Sequence, residues 1–356
     1  MRLGFGLYRH MLDEDNLAFA RQAGVTDIVA HVVDYFSEGP TVPAASSTGL
    51  GWGFTDRCDK PWTLDEIAGI QKRVESAGLR LHAIENLDPA HWHDVLLDGP
   101  RRDEQVGAVQ DCIRILGELG IEWLGYNFSL AGVWGHVRGP RARGGADSLA
   151  FSLDEMPEQT AIPAGQVWNM TYDLDSRGEF VPRTSAAELW DRHQRFLADV
   201  LPVAERAGVK LCAHPDDPPV PELRGTGRFL TSPAAMTQLL DTFDSDSNCL
   251  DFCQGTVSEM PDSDVYALID SFARRGRIGY VHFRNVHGRI PAYTEAFVDD
   301  GYVDMFRALR AYRDAGYDGV LIPDHTPHMT CGAGWHAGMA FALGYMRAAL
   351  RAVEED

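Results

Sequence analysis

The sequence lacks the features of a membrane or secreted protein. No stretch approaches the roughly 18 consecutive apolar residues that a membrane-spanning helix needs. The first residues, MRLGFGLYRHML, contain neither the long apolar segment nor the cleavage site of a signal peptide. The six cysteines are scattered, without the spacing of a disulfide framework or a zinc finger. We therefore expect a cytoplasmic protein with free thiols.

Positive charge is also scarce. The chain of 356 residues carries 32 lysines and arginines against 52 acidic residues, a formal net charge of −20. Nucleic acids and anionic membranes are both bound through clustered positive charge. The composition therefore argues against either as a partner and leaves a small molecule as the expected one.

A glycine-rich dinucleotide fingerprint is missing after the first predicted strand, which disfavours a doubly wound sheet. Apolar strand patterns alternate with helical patterns along the whole chain, which predicts an α/β protein, a single (β/α)₈ TIM barrel over residues 1–356. A long loop after the second strand reaches Pro61, and a long, irregular, lid-like insertion is predicted at about 128–183, after the fourth strand. The predicted strands are Met1–Leu7, Asp27–His31, Arg80–Ile84, Glu122–Asn127, Val209–Ala213, Cys249–Phe252, Ile278–Phe283 and Gly319–Ile322.

Four of these strands are followed at once by a good metal ligand. The ligands are His214, Cys253, His282 and Asp324, separated by 39, 29 and 42 residues. Such separations suit successive strand–helix units and are far too long for a zinc finger. Because the carboxyl ends of barrel strands converge on one face, we expect these side chains to meet. The pattern predicts an open site of N, S and O ligands for a catalytic divalent cation.

Other polar side chains fall at the same strand ends. Each taken alone is equally explained as a hydrogen-bonded loop or core group. Asp216 in particular has a structural alternative, since Asp before Pro commonly caps a turn. As a set they predict a site that binds a hydroxylated substrate. The candidates are Arg9, Glu85, Tyr126, Asn127, Asp216, Arg284 and Asn285.

Several motifs resemble the mannonate dehydratase family. HPDDPP at His214–Pro219 is followed in order by FCQG, VHFRN and PDH. HAIENL around Glu85 and GADSLAF at Gly145–Phe151 are similar to family segments further upstream. The resemblance extends from about Val25 to Tyr345, and the four ordered motifs make it specific.

This resemblance implies a barrel related to xylose isomerase-like enzymes, with a divalent metal that is typically Mn²⁺. It implies loss of water from D-mannonate to give 2-keto-3-deoxy-D-gluconate, a step of glucuronate catabolism, in a homodimer or homotetramer. Carried over by motif, the metal ligands are again His214, Cys253, His282 and Asp324. A thiolate in this set also suits Fe²⁺, Zn²⁺ or Co²⁺.

Two charged residues beside the ligands have predicted roles in the chemistry. Arg284 is placed to clamp a substrate carboxylate, and the alternative is an ion pair with Asp216 or Asp217. His325 is the first candidate for acid–base catalysis, because an imidazole titrates near neutral pH. Its alternative role is to orient the neighbouring Asp324.

One position departs from the family pattern. Aligned on 342–344, the catalytic tyrosine of the family falls at Met339, which has no exchangeable proton. Trp335 and His336 stand nearby, and His336 is the second catalytic candidate. The departure leaves two alternatives to a dehydratase: a sugar isomerase or epimerase on the same barrel, and a sugar-acid binding protein without turnover.

Overall fold

The structure, a computed structural model, describes residues 1–36, 53–55, 61–176 and 178–355. Eight parallel strands close into a barrel, in which the first strand pairs with both the second and the eighth. The predicted (β/α)₈ fold is confirmed, and each strand limit lies within one residue of its prediction. The barrel strands are β1 (Arg2–Tyr8), β2 (Asp27–His31), β3 (Arg80–Glu85), β4 (Trp123–Tyr126), β5 (Lys210–Ala213), β6 (Asn248–Cys253), β7 (Ile278–His282) and β8 (Val320–Ile322).

Helices cover the outside of the barrel. Side-chain caps begin several of them: the Thr63 hydroxyl accepts from the Glu66 backbone N–H at 3.2 Å, and Ser185 and Glu188 form a reciprocal capping box. The helices are α1 (Glu14–Gln22), α2 (Leu64–Ser76), α3 (Pro89–Leu97), α4 (Arg102–Glu118), α5 (Ala186–Ala207), α6 (Pro233–Thr242), α7 (Gln254–Glu259), α8 (Val265–Arg274), α9 (Met305–Asp314) and α10 (Gly334–Glu355).

A separate cluster of strand residues fills the inside of the barrel. Packing here is tight, because a Cβ at Gly125 would lie 2.0 Å from the Tyr280 hydroxyl oxygen. The filled interior leaves no channel and confines the chemistry to the strand ends. The cluster consists of Val29, Ala83, Cys212, Cys249, Tyr280, Val320 and Ile322.

The insertion after β4 is more regular than predicted. Strands Val137–Ala142 and Ala146–Ser152 pair antiparallel with each other. Strands Ala292–Ala296 and Asn285–Arg289, which follow β7, complete a four-stranded sheet that we call the cap sheet. The prediction of an irregular stretch was wrong here, because the partner strands lie some 140 residues away and local sequence does not reveal them. Two short hairpins, each made of two-residue strands, also occur. One pairs Gln166–Val167 with Met170–Thr171, and the other pairs Glu222–Leu223 with Thr226–Gly227.

Most of the predicted loop that reaches Pro61 lies outside the described residues, and so does Cys58. The other five cysteines are free thiols. Within the described ranges, no helix is long and apolar enough to cross a membrane.

Candidate active site

Three of the four predicted metal ligands meet at the carboxyl ends of the strands, which we call the mouth of the barrel. His214 follows β5, Cys253 ends β6 and His282 ends β7. One nitrogen or sulfur atom of each lies within 4.8 Å of the others. Cys253 is opposite His282 in the strand register, so regular pairing alone brings these two together. A set of two imidazoles and one thiol suits a borderline or soft divalent ion.

The Cys253 thiol lies in surroundings that favour its ionised form. Burial opposes ionisation, but the Arg284 guanidinium and the neighbouring imidazoles of His214 and His282 outweigh it and hold the thiol pKa well below its usual range. The backbone N–H and the hydroxyl of Thr256 donate to the sulfur at 3.4 and 3.1 Å. The thiolate is the form of cysteine that binds metals.

Asp324 lies beside this group, next to His282. Its Oδ2 is 3.4 Å from His282 Nδ1 and 3.4 Å from Arg284 Nε. Burial opposes ionisation of the carboxyl, but His282 and His325 hold its pKa well below the usual range. The backbone φ of Asp324 is +35°, a left-handed conformation that is uncommon outside glycine and concentrates at functional sites. The geometry is compatible with Asp324 as the fourth ligand.

The other side of the His282 ring meets two carboxylates. Nε2 is 3.2 Å from Glu85 Oε2 and 3.3 Å from Asp251 Oδ1. The three residues form a second group able to hold a metal ion. Burial raises the pKa of Glu85, but His31 and His282 lower it to about 2. Sequence reasoning missed Asp251, although it precedes Cys253 by two residues and a strand's alternation places both on one face.

Arg284 forms the ion pair that the sequence left as its alternative role. The guanidinium is fully buried and pairs closely with Asp217. It also donates to Glu259 at 2.8 Å and lies 3.5 Å from Glu295. Arg284 therefore holds acidic side chains of the mouth in place. It lines neither of the two cavities of the mouth.

His325 is held on one side and open on the other. Its Nδ1 bonds to Glu295 Oε1 at 2.8 Å, and its Nε2 is 3.7 Å from Asp324 Oδ1. Burial lowers the pKa of the imidazole, but Asp324 and Glu295 outweigh it and raise the pKa to about 9. Glu295 belongs to the cap sheet and had no sequence signal. The arrangement is that of an imidazole oriented by a carboxylate and protonated below about pH 9, which is able to donate a proton in acid–base catalysis.

Carboxylates are concentrated at the mouth. Four of them, those of Asp217, Glu259, Glu295 and Asp324, lie within 3.5 Å of the Arg284 guanidinium, and those of Glu85 and Asp251 face His282. Burial raises the pKa of Asp251 to about 8 and that of Glu259 well above its usual range, so these two acids favour their protonated forms. A divalent cation bound beside them would favour the ionised forms.

Two adjoining cavities open at the mouth. The inner one, about 60 Å³, is lined by predicted residues His214, His282, Glu85 and Asn127. The outer one, about 430 Å³, has apolar walls that include Met339. Both contain the side chains of Tyr8, Val133, Asp217, Asp324 and His325, so one molecule can reach from the ligand group into the outer cavity.

Two predicted substrate-binding residues, Arg9 and Asp216, make contacts away from the cavities. Arg9 donates to a backbone carbonyl and to Glu66 at 3.0 Å, which ties β1 to α2. Asp216 accepts from the Leu230 backbone N–H at 3.0 Å and lies 3.3 Å from Arg228. The contacts of Asp216 are thus with a later loop and not with the turn that directly follows it, and neither residue lines a cavity described here.

Three further predictions are also corrected. The Tyr126 hydroxyl is buried against His193 Nε2 at 2.9 Å, inside the wall of aromatic side chains behind β4. The Asn285 amide bonds to backbone groups of the following loop. His336 Nε2 bonds to Asn16 at 3.0 Å, on the outer side of the barrel. All three are structural contacts, which strand-end position alone could not distinguish from substrate contacts.

Comparison with known proteins places the chain in a family. The family model for D-mannonate dehydratase (UxuA) matches residues 1–354. The chain belongs to the mannonate dehydratase family. Mannonate dehydratase 2 of Halalkalibacterium halodurans is 30% identical over 275 residues, 74% of this chain and 79% of that protein. Mannonate dehydratase of Thermotoga petrophila is 31% identical over 283 residues, 74% of this chain and 78% of that protein.

Solved structures agree with this assignment. The mannonate dehydratase of Streptococcus suis serotype 2 superimposes with a TM-score of 0.78 at 26% identity, covering 100% of this chain and 94% of that one. An L-ribulose 3-epimerase aligns with a TM-score of 0.54 at 16% identity over 99% and 96% of the two chains, which shows a shared fold alone. Membership of the mannonate dehydratase family confirms the predicted class, a hydro-lyase that acts on a sugar acid.

Proposed function

We propose that this protein removes water from D-mannonate to give 2-keto-3-deoxy-D-gluconate. We further propose a divalent metal ion held by His214, Cys253, His282 and Asp324. The observation that carries the proposal is the ligand group opening into a cavity whose wall contains His325. Family membership supplies the reaction class, and this arrangement supplies groups able to perform it.

The donor set fits a divalent metal ion. Two imidazoles and a thiol whose pKa is held low lie within 4.8 Å of one another, and Asp324 Oδ2 lies 3.4 Å from His282 Nδ1. The family resemblance favours Mn²⁺, whereas the thiolate and imidazoles suit Fe²⁺, Zn²⁺ or Co²⁺ equally well. When bound, such an ion supplies a Lewis acid beside the substrate carboxylate.

His325 is the group placed to move a proton. Dehydration removes the proton on C2 of the acid and the hydroxyl on C3, and the resulting enol becomes the ketone. The bond from His325 Nδ1 to Glu295 leaves Nε2 facing the cavity. Asn127 and Glu85 line the inner cavity, where they can bind substrate hydroxyls. Arg284 acts indirectly, by holding Asp217 and Asp324 in place.

The test is a dehydration assay on protein loaded with Mn²⁺, Fe²⁺, Zn²⁺ or Co²⁺ in turn. D-Mannonate and a panel of other aldonates are supplied, and 2-keto-3-deoxy acid is measured beside a chelator-treated control. Metal-dependent product from D-mannonate is the expected result. Product from a different aldonate only would change the substrate, and no product from any aldonate would overturn the proposal.

One observation favours a second candidate, a sugar isomerase or epimerase. Met339 lines the outer cavity at the position where the family places a catalytic tyrosine. Isomerisation needs a proton moved next to a carbonyl or hydroxyl but needs no acid for a departing hydroxide. Conversion of a ketose or aldonate to its epimer, without keto-deoxy product, would select this candidate.

The quaternary state and location follow from the same proposal. We expect a homodimer or homotetramer that binds a small sugar acid in the cytoplasm. Sedimentation equilibrium of the purified protein measures the number of chains directly. A monomer at assay concentration would contradict this part of the proposal.

A further inference from the structure

His282 has different neighbours on the two sides of its ring. Nδ1 faces Asp324 at 3.4 Å and is a buried nitrogen without a hydrogen-bond partner in the described ranges. Nε2 lies 3.2 Å from Glu85 and 3.3 Å from Asp251. One side of the ring therefore offers a nitrogen to the ligand group, and the other side meets two carboxylates.

The contacts of Nε2 decide where the ring carries its hydrogen. A neutral imidazole has one N–H and one lone pair, and only the lone pair binds a metal. Glu85 Oε2, 3.2 Å away, accepts the hydrogen on Nε2 of His282, which leaves the lone pair on Nδ1. Asp251 Oδ1, 3.3 Å from Nε2, packs against the same edge of the ring and restricts its rotation.

We propose that Asp251 and Glu85 are positioning residues that fix the tautomer and orientation of His282, so that its Nδ1 faces the metal ion. This inference rests on the metal dependence of the proposed function. Carboxylates behind a ligating histidine commonly raise its affinity for the metal.

Asp251 gives the sharper evidence of the two. It is fully buried, and neither oxygen makes a hydrogen bond of normal geometry within the described part of the chain. Burial raises the pKa of this carboxyl to about 8 against the attraction of His282, and its Oδ1 faces His282 Nε2 at 3.3 Å. Asp251 lines neither cavity at the mouth, whereas Glu85 lines the inner one. A contact with substrate therefore does not account for Asp251.

The experiment measures metal affinity in the Asp251→Asn variant. Co²⁺ and Zn²⁺ are titrated against a chromophoric chelator, and the Co²⁺ absorption bands report the coordination. We expect affinity about 10- to 100-fold weaker and altered bands. The control is Asp246→Asn, the same change in a 98%-exposed side chain just before β6, which should bind Co²⁺ like the unaltered protein. A folded Asp251→Asn protein with unchanged affinity and bands would overturn the proposal.

A second variant covers the case in which Asp251→Asn does not fold. Glu85→Gln removes the other acceptor charge from Nε2 of His282, and the same titration should show weaker binding. Unchanged Co²⁺ affinity in Glu85→Gln would then overturn the shared role.

Metal content of the unaltered protein separates this inference from the proposed reaction. One ion per chain without product from any aldonate would overturn the dehydratase activity alone. Two ions per chain would overturn the positioning role, because Glu85, Asp251 and His282 would then be ligands themselves. No bound ion under any loading would overturn both.

Discussion

The two ends of the barrel differ in how their charged side chains are paired. At the N-terminal end, buried Asp27 accepts from Arg80 at 2.7 Å and lies 3.4 Å from Arg2. Nearby, Lys210 pairs with Glu122 at 3.0 Å. At the mouth, four carboxylates, those of Asp217, Glu259, Glu295 and Asp324, share the guanidinium of Arg284. Separate pairs at one end stabilise the fold, whereas the charges at the other are shared in one network beside the ligand group.

The same contrast appears in two histidines. Burial lowers the pKa of His82, near the N-terminal end, to about 4, despite the attraction of Asp27. Burial also opposes the charged form of His325 at the mouth, yet Asp324 and Glu295 raise its pKa to about 9. Burial acts alike on both, so the surrounding carboxylates make the difference.

The largest expected effect is at the mouth, in the variant His325→Gln. Glutamine can still bond to Glu295 but cannot transfer a proton, so kcat should fall by about 10²- to 10⁴-fold. Metal content, measured on the same samples, should not change. His336→Gln is the matched control, since that residue lies outside both cavities. Near-normal turnover in His325→Gln would reduce His325 to an orienting role.

The next effect belongs to the opposite end, in the variant Asp27→Asn. It removes the charge that receives Arg80 and Arg2, and hydrogen bonds to charged groups contribute about 1.5–3 kcal/mol each. We expect the free energy of unfolding in urea to drop by about this amount, with Co²⁺ affinity and kcat preserved. Loss of metal affinity would show that the two ends are not independent.

A smaller effect is expected for Tyr8→Phe. The Tyr8 ring lies in the wall shared by both cavities, and Met339 offers no hydroxyl there. Loss of one hydrogen bond to substrate should lower kcat/KM about tenfold, or about 1.4 kcal/mol. Tyr345→Phe on α10 is the control. An unchanged kcat/KM would show that the Tyr8 phenol does not contact the reacting molecule.

The smallest effect concerns the pH dependence of stability at His82. Its folded pKa, about 4, lies below the ordinary 6.5, so between these values the unfolded chain binds the proton more tightly. Stability is therefore lost as pH falls from 6.5 towards 4, by roughly half a kcal/mol between pH 6.5 and pH 6. In His82→Gln the unfolding free energy should lose that slope relative to the unaltered protein. The exposed-residue variant His287→Gln, by contrast, should keep it.

The sequence was informative where function depends on strand ends. His214, Cys253 and His282 each follow or end a strand whose limits apolar patterning defines well, so their convergence could be predicted. Tyr126 and Asn285 occupy the same kind of position, yet their side chains turn into core and backbone contacts. Position along a strand gives proximity to the mouth, but the final rotamer depends on packing.

Other parts of the site depend on distant pairings. Glu295 lies opposite Val286 in the hairpin after β7, on a strand whose other edge pairs with Ala146–Ser152, far away along the chain. Nothing local marks that second pairing. Asp251 is different, since alternation in β6 puts it on the same face as Cys253 and could have revealed it.

The cap sheet has a consequence for the order in which this protein assembles. Its central pairing joins Ala150 to Thr294, across a span of the chain that contains β5, β6 and β7. Closing so long a loop costs less entropy once the intervening strands have docked. The central pairing of the cap sheet would thus form late in folding, and its amides should exchange hydrogen through openings that leave the barrel intact. The part of the outer cavity wall that Ser148 and Leu149 supply would then be completed after the barrel itself is formed.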